Sequence, residues 1–108
     1  MDIELAKRWR STEAVMERAR SALPEPQDQI RNEFGQAIAE YQDFLSHNEL
    51  GLAFDSLIAA ADLVPSRGAV WRDLIRAAEF MQLSDRIPEL EKRFAAAPFP
   101  SGAEASAK

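Results

Sequence analysis

The chain has 108 residues, 46% apolar and 29% charged, with a net charge of −5 and no cysteine. That length suits one domain with a real core and little stability to spare. The lack of cysteine excludes disulfides, thiolate chemistry and a cysteine-based zinc site.

The negative charge is unevenly placed. Acids and bases cancel over residues 1–31, and residues 67–108 are slightly positive. Between them stand Glu33, Glu40, Asp43, Glu49, Asp55 and Asp62, with no lysine or arginine. Neutralising a nucleic-acid backbone needs clustered Lys and Arg, so no nucleic-acid partner is expected. The acidic third suits a basic partner, or plain solvation. The first residues, MDIELAKRWRSTEA, contain no apolar signal core, and no apolar run approaches the roughly 20 residues of a membrane span. These features imply a soluble cytoplasmic protein with no membrane partner.

The first helix is expected from about Asp2 to Leu23. Ile3, Leu5, Trp9, Val15, Met16, Ala19 and Leu23 give a rough helical period among charged residues, and Pro24 and Pro26 end it. The second runs from about Gln27 to Ser46. Ile30, Phe34, Ile38, Tyr41 and Leu45 form its apolar stripe, while Glu33, Gln36, Glu40 and Asp43 form an acidic flank.

The third helix, within Ser46–Val64, is apolar on nearly every side, which predicts cover from other helices all round. Ser46 and Glu49 match a capping box, with Asn48 as the alternative cap. Leu50, Phe54, Leu57, Ile58 and Ala61 share one face. Leu52, Ala59 and Leu63 lie opposite, beside Asp55 and Asp62. Pro65 closes this helix and Ser66 can cap the next, from about Gly68 to Met81. A short fifth helix follows, capped by Ser84 or Asp85, with Pro88 in its first turn. Residues 98–108 read as a disordered tail. No stretch alternates with period two. The fold class is therefore all-α: an antiparallel helical bundle, or tetratricopeptide-like hairpins, of four to five helices in a single domain over residues 1–97.

Ala53, Leu57, Ala60, Pro65, Trp71 and Leu74 match the spacing of a tetratricopeptide unit over roughly Phe44 to Ala78. Ile75 and Ile87 stand where that pattern has glycine and alanine. The segment YQDFLSHNELGLAFDSLIAAADL resembles the core of short helical immunity proteins of the MafI type. The resemblance rests on His47, Glu49, Gly51, Leu52, Ala53 and Asp55. It implies a protein that protects a bacterium by binding a secreted toxin domain.

No catalytic constellation is legible. His47 is the single histidine, and Asp43 and Glu49 alone do not make an acid–base or metal site with it. Glu40 and Asp43 could share a hard cation, but no calcium-loop pattern surrounds them. The glycines make no phosphate loop. Trp9 and Trp71 read as core anchors, or as interface hot spots where exposed.

The expected function is thus non-enzymatic and needs no cofactor or metal. It is protein binding, by an acidic immunity or inhibitor protein whose Glu33, Glu40, Asp43, Glu49, Asp55 and Asp62 meet a basic toxin surface, with Tyr41 as an aromatic anchor. The alternative is a tetratricopeptide-like adaptor, or a structural protein that oligomerises with its own copies, with a groove lined by residues such as Leu52, Leu63 or Trp71.

Overall fold

A computed structural model describes residues 3–97, in five helices: α1 (Ile3–Ser21), α2 (Arg31–Ser46), α3 (Leu50–Leu63), α4 (Gly68–Phe80) and α5 (Ile87–Ala96). Single 3-10 turns at Asp28–Ile30 and Ser84–Arg86 lead into α2 and α5. There is no strand among the described residues. The tail expected at 98–108 lies outside them.

The helix ends follow local chemistry, not always the expected chemistry. The capping box at Ser46–Glu49 does not form. α2 runs through Ser46, whose hydroxyl donates back to the Asp43 carbonyl at 2.7 Å. Asn48 then takes a left-handed backbone, φ 59°. Its N–H bonds the Leu45 carbonyl at 3.0 Å, and the Glu49 N–H bonds the Phe44 carbonyl at 2.9 Å. These two bonds define a Schellman turn, in which asparagine is the usual substitute for glycine. α3 therefore starts only at Leu50, and no side chain caps it. The end of α4 repeats the device. Gln82 has φ 60°, and Leu83 N–H reaches the Ala78 carbonyl at 2.8 Å. Neither Ser84 nor Asp85 caps α5; both are consumed in the 3-10 turn.

Ser66 is also reassigned. Pro65 has no N–H to give the Ala61 carbonyl four residues back. The buried Ser66 hydroxyl donates to that carbonyl at 2.7 Å instead. It thus closes α3, and Arg67 takes the position before α4.

α2 and α3 form one antiparallel hairpin and α4 and α5 another, while α1 lies along α4. Arg18 of α1 holds Asp73 of α4 through two hydrogen bonds of 3.2 and 3.0 Å, and the other end of α1 meets the end of α4, so these two run antiparallel. The core joins Met16 of α1, Tyr41 of α2, Phe54 and Leu57 of α3, Val70 and Leu74 of α4, and Leu90 of α5. Thr12 is buried among them and returns its hydroxyl to the Arg8 carbonyl at 2.8 Å, which lets a polar side chain sit in the α1 interface. α3 is the central helix, with seven buried residues, but the expected all-round cover is incomplete. Leu52, Asp55, Ala59 and Asp62 form a line, at helical spacing, that stays open.

Candidate functional site

The six acids of the middle third separate into two groups. Asp55 and Asp62 lie seven residues apart on the open line of α3. Arg86 and Arg93, also seven apart, reach them from the parallel α5 side. Arg86 Nη1 donates to Asp55 Oδ1 at 2.7 Å. Arg93 Nε and Nη2 donate to Asp62 Oδ1 and Oδ2 at 2.8 and 2.9 Å, a bidentate pair. The Asp62 hydrogen bond raises the Arg93 pKa further above its ordinary value. The same guanidiniums lie 5.4 Å from the Phe54 ring centre and 5.6 Å from that of Trp71. These two acids, expected on the partner face, instead tie α3 to α5.

Tyr41 is the second correction. It is fully buried, and its hydroxyl donates to Glu17 Oε2 of α1 at 2.7 Å. Burial first, then the Glu17 carboxylate, pushes its pKa upward, so the hydroxyl stays protonated. It anchors α2 to α1 and presents no ring to a partner. Trp71, expected in an adaptor groove, is 5% exposed and equally internal. Leu52 is exposed and Leu63 half-buried.

The remaining acids stay on the surface. Glu33, Gln36 and Glu40 rise along α2 beside a shallow hollow of about 270 Å³, floored by Ala37, Ala59 and Leu63. Among the described residues no cation lies within ion-pairing distance of Glu33, Glu40 or Glu49. Asp43 continues the same flank. Its carboxylate is 3.8 Å from His47 Nδ1, which donates to the Asp43 carbonyl at 2.8 Å. That bond, and then the carboxylate, raises the His47 pKa above 6.5. His47 thus closes the end of α2. The α2 flank is an acidic edge with an apolar floor, suited to Lys and Arg side chains whose stems can lie on the alanines and leucine.

A second feature was not legible as a site. At the end of the bundle where α1 begins, Trp9 stands 43% exposed over a hollow of about 340 Å³. Leu50 and Gly51 of α3 and Phe80, Met81 and Leu83 at the end of α4 line it, with Arg8 and Asn48 at its rim. Both left-handed turns therefore border it. Trp9 extends the apolar period of α1, which is why it reads as core. Its setting between Arg8 and Arg10 is the one local sign of a surface position.

No three His, Cys, Asp or Glu side chains gather as a metal site among the described residues. No described helix is long and apolar enough to cross a membrane. Comparison with protein-family models, curated proteins and solved structures finds no match.

Proposed function

We propose that this chain is a non-catalytic protein-binding module, a small acidic immunity or inhibitor protein that takes the basic surface of a toxin domain along its α2 edge. The observation that carries this reading is the unequal fate of the middle-third acids. Asp55 and Asp62 are matched by arginines of their own chain, whereas Glu33 and Glu40 flank an open hollow with no cation within ion-pairing distance among the described residues. Carboxylates left without partners on a rigid helix raise the encounter rate with a basic surface and select against acidic ones. The resemblance of Tyr41–Leu63 to MafI-type immunity proteins supports the toxin as partner. Glu33, Glu40, Asp43 and Glu49 are the contact residues; Tyr41, Asp55 and Asp62 hold the scaffold that presents them.

The test is capture from native cells with the tagged chain, beside its Glu33→Lys/Glu40→Lys variant. A basic protein with a toxin-like domain should be retained by the parent, released by salt and lost on the variant. Its activity should fall when the chain is added. Equal capture by parent and variant overturns the acidic edge as the contact. A second reading, a tetratricopeptide-like adaptor, draws support from the two hairpins α2–α3 and α4–α5 placed in series. It predicts a partner held through high salt.

A further inference from the structure

We infer that the hollow between the last turns of α1 and the first turns of α4 is an anion site for a terminal phosphate group, free or carried on a small organic body. The inference is independent of the acidic α2 edge and of any toxin. Arg18 and Ala22 line the hollow from α1, and Ala69, Arg72, Asp73 and Arg76 line it from α4. The α4 residues are three, four and seven apart, so one face of that helix supplies them all. The two alanines are short, and the space they leave is about 430 Å³, larger than the hollows beside Trp9 and along α2. Small-molecule sites span about 300–1,000 Å³.

Each of the three guanidiniums is steadied by a different neighbour, and each keeps donors to spare. Arg18 gives Nε and Nη2 to the two oxygens of Asp73 at 3.2 and 3.0 Å, which leaves its Nη1 donors without an acceptor among the described residues. Asp73 is the one carboxylate lining the hollow, and both its oxygens are engaged in this fork. Arg72 lies over the Phe94 ring, 5.7 Å from its centre. Gly68 lets that ring sit against α4, since a Cβ there would stand 3.2 Å from it. A guanidinium stacked in this way keeps the N–H groups of its edge free. No carboxylate lies within ion-pairing distance of Arg72 among the described residues. Arg76 has Glu79 at 3.9 Å, too far for a hydrogen bond.

The number of guanidiniums selects the ligand. A carboxylate has two oxygens and is satisfied by one or two forks. A terminal phosphate has three acceptor oxygens and can take all three arginines at once. An internal phosphodiester has only two such oxygens, which sets a terminal phosphate apart from a nucleic-acid backbone. The alanine floor then leaves room for an organic body beside the phosphate.

The test is an amide NMR titration of the full chain at fixed ionic strength. The probes are inorganic phosphate, adenosine 5′-monophosphate, adenosine and acetate. Both phosphates should give saturable shifts centred on Ala22, Ala69 and Arg72, and adenosine and acetate should give none. Tighter binding of the monophosphate than of inorganic phosphate would show that the organic body is held too; equal binding would make free phosphate the ligand. Arg72→Gln and Arg76→Gln should each weaken binding at least tenfold. Ala69→Leu should do the same by filling the hollow with no change of charge, and Ala69 is exposed, so that variant keeps its fold. Arg31→Gln, on α2, should leave binding unchanged. Absence of saturable shifts with either phosphate, or shifts indifferent to Ala69→Leu, overturns the inference. So does an oligonucleotide without terminal phosphates that binds as tightly as the monophosphate, because the arginines would then be a general polyanion surface.

Discussion

The α2 edge and the α3–α5 edge are built from the same kind of residue and behave as opposites. Each carries carboxylates seven residues apart: Glu33 and Glu40 on one, Asp55 and Asp62 on the other. Along α3, the parallel α5 side presents arginines with the same spacing, and each acid finds a guanidinium within 2.8 Å. Along α2, no cation among the described residues lies within ion-pairing distance of Glu33 or Glu40, and both flank an open hollow. An acidic run is therefore not an acidic surface. Its meaning depends on which helix the bundle sets beside it.

The sharpest test of this contrast uses two neighbours on α2, one buried and one exposed. Tyr41→Ala empties a fully buried site and strands Glu17, and should cost about 3–5 kcal/mol in urea unfolding. Glu40→Ala, one residue earlier, should change stability by no more than about 0.5 kcal/mol. A large loss at Glu40 would show that the acidic edge holds the fold together and is not free for a partner.

Next in size is the α3–α5 edge. Arg93→Ala should cost about 1 kcal/mol, since its bidentate pair with Asp62 is partly exposed and its guanidinium lies over the Trp71 ring. A double-mutant cycle with Asp62→Asn should return a coupling of several tenths of a kcal/mol. Zero coupling would make the pair a surface coincidence and return Asp62 to the list of free acids. Glu33→Gln/Glu40→Gln should move stability by no more than about 0.5 kcal/mol, because neither carboxylate has an ion pair among the described residues and the exposed first-turn Glu33 contributes little to α2.

The smallest effect is a pH dependence at His47. Its folded pKa is raised above 6.5 by the Asp43 carbonyl bond and the Asp43 carboxylate. The folded state therefore binds the proton more tightly than the unfolded chain. The stabilisation is complete below about 6.5 and fades as pH rises through the folded value. Comparing urea midpoints of the parent and His47→Gln across that interval should show a parent advantage at the acidic end that shrinks toward the alkaline end. Parallel curves would remove His47 from the closure of α2.

Much of this protein was legible in the chain. The five helices, the prolines that end α1 and α3, and Pro88 in the first turn of α5 stand where periodicity and proline chemistry place them. These features depend on neighbours within a turn or two, and such neighbours are adjacent in sequence. The caps were less legible. Ser46 and Ser66 carry side chains that could bond forward into the next helix, and both bond backward, because the carbonyls left open by the preceding helix are closer.

The candidate sites depended on the tertiary arrangement. The segment from Asn32 to Ser66 contains no lysine or arginine, yet two of its six acids are paired with arginines 31 residues onward. Trp9 and Trp71 are alike as apolar beats on amphipathic helices, and one is exposed while the other is buried. Tyr41 lies on the buried stripe, although its acidic neighbours suggested a surface role. Local pattern determined the helices and the side of each that turns inward. The pairing of α1 with α4, and of α3 with Arg86 before α5 and Arg93 within it, decided which charges are neutralised and which apolar groups stay open, because those contacts join residues far apart in the chain.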